Sequence, residues 1–460
     1  MIRELLEARL EEKFSLHQRF LNGQMVRMLK AIGFDRTYVR AEGPYLYDEE
    51  GNRYLDLLSG FGVFALGRNH PRVKALLEEI LRLDLPDLVQ LDVSPLAGIV
   101  AEKIVATTPE PLTRVFFCNS GTEAVEAAIK FARLTTKRSR ILYCEHAFHG
   151  LTMGSLSLNG DEIFREGFGP LLPDCHSVPF GDLEALDRAL CEAPTAAFFV
   201  EPIQGKGVNV PPPGYLKEAA ALCRKHGALF VVDEIQTGLG RTGKMWAIDH
   251  EGVEPDMLLM AKALSGGFVP VGAVAMTERI MDAVFNRIDR AVVHGSTFSK
   301  NNMAMAAALA TITLLEEERL IENAARQGEA LLSELRALIP RYPFLKEVRG
   351  RGLMIGIEFG KPESLKLKAA WNLLEAAHPG LFSQMVVIPL FKEHRILSQV
   401  AGYGLNVVKF LPPLVISDED RRWIVEAVEQ VVAATHEVPG AVWDLGKTLA
   451  SQALKVRRGA

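Results

Sequence analysis

A carboxylate and an amine in this chain each follow an apolar run and could perform chemistry together. Asp233 ends the run Ala228 to Val232, and Lys262 follows the segment DMLLMA. A carboxylate at the end of a buried strand is costly unless it meets a positive partner. An amine approached by apolar chain is desolvated, which lowers its pKa and favours condensation with a carbonyl group.

These two groups are the minimum that a protein needs to use pyridoxal phosphate. The lysine amine condenses with the cofactor aldehyde, and the carboxylate keeps the pyridine nitrogen protonated so that the ring can accept electrons. We therefore predict Lys262 as the nucleophile and proton carrier and Asp233 as the partner of the ring nitrogen. The alternatives are an aspartate that caps a neighbouring turn and a lysine that is merely solvated.

The strands and helices that must position Asp233 and Lys262 alternate along the chain. From about Ser94 to Ala275, helical patterns separate the apolar runs RVFFC, RILYC, AAFFVE, ALFVVDE and GAVAM. Buried strands separated by helices indicate an α/β fold with a parallel sheet covered on both faces. Ligands of such sheets bind at the carboxyl ends of the strands, which is where the motifs of this chain fall.

The rest of the chain predicts helices over about residues 2–33 and short strands over Thr37–Leu57. Glu316–Ile339 is interpreted as one long amphipathic helix, and Val438–Ala460 as a loosely attached helix. We expect four regions: an amino-terminal segment that packs with a small domain, a large cofactor-binding domain, the small domain and a tail, over residues 1–75, 76–325, 326–436 and 437–460.

A second motif, Asn119-Ser120-Gly121-Thr122, lies between the RVFFC strand and the helix EAVEAAIKFAR. Hydroxyl groups and a glycine at a helix amino terminus can hold a phosphate through backbone N–H groups and the helix dipole. Serine and threonine also cap helices without any ligand, and that alternative stays open.

A third motif, HAFHG, follows the RILYC strand. Phe148 could stack on a flat cofactor ring, or it could simply belong to the core. His146 and His149 lack the carboxylate or cysteine neighbours of a metal site, so we predict no metal. We interpret His149 as a structural group or as one that supports a residue of the site.

Composition excludes several classes of protein. Lys plus Arg is 52 against 57 for Asp plus Glu, and the net charge of -5 gives no sign of a nucleic-acid-binding surface. The 5 cysteines form no CxxC pair and do not suggest a disulfide framework. The amino terminus lacks the apolar core of a signal peptide, and no segment approaches the roughly 20 apolar residues of a membrane span. We therefore predict a cytoplasmic protein that binds neither membrane nor nucleic acid.

Six motifs taken together resemble the class III, ornithine-type aminotransferases of pyridoxal-phosphate fold type I. They occur in the same order as in that family, over residues 35–430, and read SGTEAVEAAIKFAR, HAFHG, VEPIQG, DEIQTGLGRTG, AKALSGG and HGSTF. The resemblance implies a large, mostly parallel sheet domain with a smaller α+β domain. It also implies pyridoxal 5'-phosphate as cofactor and ping-pong transfer of an amino group from an amine donor to a 2-oxo acid.

The resemblance assigns roles to the motif residues. Lys262 would bond to the cofactor and Asp233 would pair with its ring nitrogen. The other cofactor-binding residues would be Gln236 near the phenolic oxygen, Phe148 on the ring, and Ser120, Gly121 and Thr122 on the phosphate. Thr297 would reach the phosphate of the partner subunit, which implies a homodimer with active sites at its interface.

Three positions expected to contact substrate depart from the family pattern. Many relatives carry an arginine after FHG, a glutamate ending EPIQGE and an arginine before PPL, where this chain has Leu151, Lys206 and Lys409. Lysine keeps the charge of arginine but loses its planar fork, so Lys409 would bind a carboxylate less tightly. Lys206 would remove the acid that shields the arginine, and Glu201, which opens the same motif, is placed with the substrate residues.

Phe61, Phe64 and Leu151 suggest an entrance partly lined by apolar groups, although they could instead pack into the domain and dimer core. With RAEGPYLYDEEGNRYLDLLSGFGVF, these residues resemble the putrescine-type branch and favour an unbranched or hydrophobic primary amine, diamine or omega-amino acid as donor. Two other hypotheses stay open: a racemase, epimerase or aminomutase on the same scaffold, and a catalytically silent scaffold protein.

Overall fold

The computed structural model describes residues 1–89, 91–437 and 440–458. The amino-terminal region contains helices followed by three short strands: α1 (Ile2–Arg9), α2 (Lys13–Phe20), α3 (Gly23–Ile32), β1 (Tyr38–Glu42), β2 (Tyr45–Asp48), β3 (Arg53–Asp56) and the turn α4 (Ser59–Gly62). Asn22 caps α3 by accepting hydrogen bonds from two backbone N–H groups of its first turn, and Gly33 ends the helix in the left-handed conformation. The helices and strands predicted for this region are therefore confirmed.

The central region alternates strands and helices as its apolar runs predict. Its elements are α5 (Pro71–Arg82), α6 (Pro95–Val105), β4 (Arg114–Cys118), α7 (Gly121–Thr136), β5 (Arg140–Cys144), α8 (Met153–Leu156), α9 (Glu162–Arg165), β6 (Cys175–Val178), α10 (Leu183–Glu192), β7 (Thr195–Val200), α11 (Tyr215–His226), β8 (Leu229–Asp233), β9 (Met257–Met260), β10 (Gly272–Met276), α12 (Glu278–Val284) and α13 (Asn302–Glu317).

Seven of these strands form one sheet in the order β4-β10-β9-β8-β7-β5-β6. Strands β5 to β9 pair in parallel, whereas β10 runs antiparallel to both β9 and β4. The connection from β9 to β10 contains one short 3-10 turn and no crossover helix, so the chain can return only in the opposite direction. The sheet is thus mostly parallel, and the direction of β10 is the exception to the parallel sheet predicted from the apolar runs.

The carboxyl-terminal region has helices and two small sheets. Its elements are α14 (Leu320–Arg336), β11 (Leu345–Arg351), β12 (Met354–Phe359), α15 (Leu365–Ala377), α16 (Leu381–Lys392), β13 (Ile396–Leu397), β14 (Gln399–Val400), β15 (Val407–Phe410), α17 (Asp418–Ala434) and α18 (Ala441–Arg458). The prediction of one continuous helix over 316–339 is wrong near its amino-terminal end, because the chain there passes from one helix to another. Arg319 has a φ of 54°, and α13 ends and α14 begins around it. A left-handed arginine has no sequence signal comparable to that of glycine.

One of the two small sheets joins the amino-terminal and carboxyl-terminal regions of the chain. Strand β13 pairs in parallel with β3, so the sheet β1-β2-β3-β13 combines amino-terminal and carboxyl-terminal segments. The other small sheet has the order β11-β12-β15-β14. We keep the division of the chain near residues 75, 325 and 436 as a proposal.

The tail forms a helix, as predicted, but its attachment is not loose. Val442, Trp443 and Leu449 of α18 are buried, and the Trp443 Nε1–H group donates a hydrogen bond of 2.8 Å to the Thr435 carbonyl. Burial of a tryptophan removes a large apolar area from water, which stabilises the docked helix. Residues 438, 439, 459 and 460 of the predicted tail lie outside the described residues.

Within the described ranges, no single helix has the length and apolar character needed to cross a membrane. Helices α15 and α16 meet those two criteria only when they are taken as a pair, and they are bent by 98° relative to each other. Helix α16 is buried along most of its length.

Candidate active site

A cavity of about 920 Å³ lies where the strand-end motifs meet. Loops that follow β4, β5, β7, β8 and β9 contribute to its wall, as expected for a ligand site of an α/β sheet. The structure brings twelve of the thirteen predicted site residues to this wall: Phe61, Ser120, Gly121, Thr122, Phe148, Leu151, Glu201, Lys206, Asp233, Gln236, Lys262 and Lys409. The thirteenth is Thr297.

Asp233 and Lys262 belong to adjacent strand ends. Asp233 is the last residue of β8 and pairs in register with Leu259 of β9, and Lys262 follows β9 by two residues. Lys262 has a φ of 39°, a region that residues other than glycine rarely adopt and that is enriched at functional sites. Burial lowers the pKa of Lys262, although the charges of Asp233 and Glu201 oppose the shift. A lysine that releases its proton more readily is a better nucleophile.

Asp233 is buried and held by His149. Its Oδ2 atom lies 2.7 Å from His149 Nδ1, and its Oδ1 atom accepts a hydrogen bond of 3.0 Å from the Ile235 N–H group. Burial alone would lower the pKa of His149, but the hydrogen bond and charge of Asp233, with the charge of Glu201, raise it above its ordinary value. Of the two interpretations of His149, a structural group or a group that supports a site residue, the structure favours the second, because His149 directly contacts the predicted catalytic carboxylate.

The helix amino terminus of α7 contributes the hydroxyl groups of the second motif. Ser120 caps α7 by accepting a hydrogen bond of 3.3 Å from the Glu123 N–H group. The Thr122 hydroxyl lies 2.6 Å from that of Ser155. A Cβ atom on Gly121 would lie 2.8 Å from Ile235 Cδ1, so a larger residue at this turn would displace the Ile235 side chain. The capping alternative is observed for Ser120, and the same turn also lines the cavity.

Glu201 connects two loops of the cavity wall. Its Oε2 atom accepts a hydrogen bond of 3.0 Å from the Phe148 N–H group, and its Oε1 atom accepts one of 2.8 Å from the Gly205 N–H group. Burial raises the pKa of this carboxyl group. Glu201 was predicted as a substrate residue. In this structure both of its oxygens bind backbone N–H groups.

Lys206 is held by two polar residues that precede α9. Its Nζ atom lies 2.7 Å from Asp161 Oδ2 and 3.1 Å from Asn159 Oδ1, and the residue is only 8% exposed. Sequence reasoning missed both partners, because nothing in the segment NGDEIF distinguishes them from an ordinary polar loop.

Lys409 lies on β15, lines the cavity and is 5% exposed. Its Nζ donates hydrogen bonds of 2.7 Å to the Gly205 carbonyl and 3.4 Å to Gln236 Oε1. Burial, with the nearby charge of Lys262, lowers the pKa of Lys409 to about 7, and Glu201 opposes that shift. Gln236 in turn donates a hydrogen bond of 3.0 Å to the Phe61 carbonyl.

Phe61 and Leu151 form an apolar part of the cavity wall, and each is 55% exposed. Phe61 has a φ of 61°, which is strained for a bulky residue. Phe64, expected at the same entrance, does not line the cavity; the Arg68 guanidinium lies 4.0 Å from the centre of its ring. Phe64 therefore packs against Arg68 of the same chain, and packing in a dimer core stays a prediction.

Thr297 is exposed and lies outside the cavity wall. The preceding residue, Ser296, accepts a hydrogen bond of 2.6 Å from the Asn119 side-chain amide, which anchors this loop beside the second motif.

One group of metal-type ligands occurs among the described residues, outside the cavity wall. Ligand atoms of Asp187, Cys191 and His226 lie within 4.8 Å of one another, and the Lys225 ammonium already pairs with Asp187 at 3.2 Å. The prediction that the protein has no metal site stays a prediction.

The site fits pyridoxal phosphate. A partly buried lysine with a lowered pKa faces a cavity that also contains a buried carboxylate, the amino terminus of a helix and an aromatic ring. These groups match the aldehyde, the ring nitrogen, the phosphate and the flat ring of the cofactor. Fold and site together define a pyridoxal-phosphate enzyme of fold type I.

Comparison with known proteins shows to which family of pyridoxal-phosphate enzymes the chain belongs. The family model "Aminotransferase class-III" matches residues 30–432, so the chain belongs to the class III aminotransferase family. It is 40% identical over 407 residues to an ornithine aminotransferase of Bacillus cereus (strain Q1), covering 86% of this chain and 93% of that protein. It is 36% identical over 439 residues to aminotransferase PigE of Serratia sp. (strain ATCC 39006), covering 88% of this chain but only 52% of PigE.

The solved structure of an amine transaminase from an uncultivated Pseudomonas species, in its PLP-bound form, is also similar. It has a TM-score of 0.75 and 31% identity, covering 86% of this chain and 94% of that one. The protein is therefore an aminotransferase that uses pyridoxal phosphate. The racemase, aminomutase and silent-scaffold hypotheses receive no support from these relatives.

Proposed function

We propose that this aminotransferase moves the amino group of a primary amine, diamine or omega-amino acid to a 2-oxo acid. The observation that carries the proposal is the presence of Lys262 and Asp233 at adjacent strand ends in a cavity partly walled by Phe61 and Leu151. When bound, pyridoxal phosphate supplies the carbonyl group that takes up the amine and a ring that accepts electrons from the substrate carbon.

Lys262 is the catalytic base and acid of the proposal. Its Nζ atom would hold the cofactor in the resting enzyme and, once displaced by a donor amine, would take a proton from the substrate carbon that bears the amino group. The lowered pKa of Lys262 supports this role, because a neutral amine is needed to accept that proton.

Asp233 provides the negative charge for the ring nitrogen, and His149 keeps its carboxylate in place. One oxygen of Asp233 is bound by His149 and the other by a backbone N–H group, which limits rotation of the carboxylate. A fixed buried charge stabilises a protonated nitrogen without reorganisation during the reaction.

The remaining roles concern the other ends of the cofactor. Ser120, Gly121 and Thr122 would hold the phosphate at the amino terminus of α7, Gln236 would contact the phenolic oxygen, and Phe148 would stack on the ring. Their position on one cavity wall supports these assignments.

Thr297 acts in a second copy of the chain, and the enzyme is a homodimer. The exposed position of Thr297 supports this, because its hydroxyl is available to a neighbouring molecule. The side chains of Val292, Val293 and Phe298 in the same loop are also exposed. Clustered exposed apolar side chains are typical of an interaction surface.

The enzyme is also proposed to be cytoplasmic. All five cysteines are unpaired, which supports this location.

For the donor we favour an unbranched or hydrophobic primary amine. Leu151 offers no charge to a donor carboxylate, and the Lys206 ammonium is bound to Asp161. Lys409 remains to bind the carboxylate of the 2-oxo acid as a single charge, in place of the two parallel hydrogen bonds that arginine would offer.

A donor panel tests the proposal. The purified enzyme, loaded with pyridoxal phosphate and kept free of oxo acid, is mixed in turn with putrescine, a hydrophobic monoamine, ornithine, acetylornithine and both alanine enantiomers. We expect putrescine or the monoamine to convert the visible cofactor band to the pyridoxamine form, and the Lys262→Ala variant to show no conversion. Conversion by ornithine or acetylornithine alone would overturn the donor assignment. Interconversion of the alanine enantiomers without band conversion would overturn aminotransfer itself.

A further inference from the structure

Lys206 is surrounded by three loops of the cavity wall. It belongs to the loop after β7, its ion-pair partner Asp161 precedes α9, and the ring of Phe148 belongs to the loop after β5. Lys206, Phe148 and Phe164 all line the cavity. A single ammonium group therefore contacts each segment that forms this part of the wall.

The loop that holds Asp161 is packed directly on the loop that holds Phe148. The Gly160 N–H group donates a hydrogen bond of 2.8 Å to the Ala147 carbonyl, and His146 Nδ1 lies 3.2 Å from Asp161 Oδ1. A Cβ atom on Gly160 would lie 2.1 Å from the His146 nitrogen, so only glycine permits this approach. Displacement of Asp161 would therefore be transmitted to Phe148.

The Lys206 ammonium also lies over two aromatic rings. Its Nζ atom is 4.1 Å from the centre of the Phe164 ring and 5.2 Å from that of Phe148, and the two rings meet edge to face at 5.8 Å. A cation at this distance is attracted by the ring quadrupole, and the attraction increases when the pair is desolvated. The ammonium thus restrains the ring of Phe148 directly as well as through Asp161.

We infer that Lys206 is a positioning residue that fixes the Phe148 ring against the cofactor, with Asp161 as its anchor, and that it does not bind substrate. The inference rests on the proposed role of Phe148 and extends it to Lys206, which departs from the family motif, and to Asp161. An isolated lysine ammonium at this place could bind a substrate carboxylate. Here the ammonium would first have to leave Asp161, Asn159 and both rings.

The test compares four variants with the wild-type enzyme. K206M keeps the apolar stem and removes the charge, D161N removes the anchor, and K206R keeps a cation over the rings. K225M is the matched control, because Lys225 also pairs with an aspartate, at 3.2 Å, but does not line the cavity. The measurements are the dissociation constant of pyridoxal phosphate from the apoprotein, the circular dichroism of the bound cofactor band, and the Michaelis constant for the oxo acid.

We expect K206M and D161N to weaken cofactor binding roughly fivefold and to reduce the dichroic band, as loss of a partly desolvated cation–π contact implies. K206R should keep most of the cofactor affinity and most of the dichroic band, and K225M should match wild type in both. The Michaelis constant for the oxo acid should not change in any variant. If K206M is insoluble, D161N and K206R carry the same comparison.

The inference is overturned if K206M raises the Michaelis constant for the oxo acid while cofactor affinity and dichroism stay at wild-type values, because Lys206 would then bind substrate. It is equally overturned if every variant matches wild type. Both outcomes leave the proposed function intact. The proposed function itself is contradicted by a different result, namely that the wild-type protein does not take up pyridoxal phosphate.

Discussion

His149 and Asp233 form a buried pair, with Nδ1 and Oδ2 2.7 Å apart, although they follow strands that are not neighbours. His149 comes from the loop after β5 and Asp233 from the end of β8, with β7 between them in the sheet. The histidine therefore reaches across one strand to hold the carboxylate that we assign to the ring nitrogen.

The pair should make stability depend on pH in a defined direction. Because the pKa of His149 is raised by Asp233, its stabilising contribution is complete below the unfolded value of 6.5 and is lost as the pH rises through the folded value. We expect His149→Gln to lower the unfolding free energy by about 1–3 kcal/mol more at acidic than at alkaline pH. Urea denaturation of the apoprotein across this range measures the difference.

The control for that experiment is His176→Gln. His176 also lies close to an aspartate, with Nε2 3.1 Å from Asp174 Oδ1, but this pair is exposed and should contribute little. A penalty for His149→Gln that is the same at every pH would contradict the charge-assisted pair.

Asp233→Asn should preserve the shape of the site and remove its charge. The ring nitrogen would lose its negative partner, so we expect the turnover number to fall about 100-fold, the range for loss of one fixed electrostatic contact. The measurement is steady-state turnover at saturating pyridoxal phosphate, with the exposed Asp289→Asn as control. Near wild-type turnover would mean that another group supports the protonated nitrogen.

Lys409→Met should raise the Michaelis constant for the 2-oxo acid about tenfold at acidic pH, as expected for loss of a charge-assisted contact. Because burial lowers the pKa of Lys409 to about 7, the wild-type ammonium is lost as the pH rises through that value. The ratio of the Michaelis constant of Lys409→Met to that of the wild-type enzyme should therefore decrease at alkaline pH. Equal Michaelis constants for the variant and the wild-type enzyme at every pH would show that Lys409 does not bind the 2-oxo acid.

Leu151→Arg should shift donor preference toward donors that carry a carboxylate. The side chain is half-exposed at the cavity wall, where a guanidinium could bind a carboxylate by two hydrogen bonds. We expect the specificity constant for glutamate to rise about tenfold relative to that for a hydrophobic monoamine. Leu151→Met, which keeps the apolar character, is the control. An unchanged preference would show that Leu151 does not contact the donor.

The positions of Asp233 and Lys262 at the cavity wall could be predicted from sequence because each follows a buried strand of a common sheet. Apolar runs such as that before Asp233 reveal a strand and its end, but they do not reveal strand direction, which is why β10 was assigned to a parallel sheet. The break between α13 and α14 was missed for a similar reason, since the helical pattern continues through Arg319.

The contacts of the site were less accessible to sequence reasoning. His149 and Asp233 are 84 residues apart, and 45 residues separate Lys206 from Asp161. Neither pair has a local pattern, because tertiary packing alone brings the partners together. Lys206 could be recognised as a departure from the family motif, but its ion pair with Asp161 required the structure.

Reductive trapping tests the central claim most directly. The enzyme loaded with pyridoxal phosphate is reduced with borohydride and digested, and the modified peptides are identified by mass spectrometry. Lys262 should carry the cofactor, and Lys206 and Lys409, the other lysines of the cavity wall, should be unmodified. A label on another lysine, or no stoichiometric label, would contradict the assignment of Lys262 as the residue that holds the cofactor.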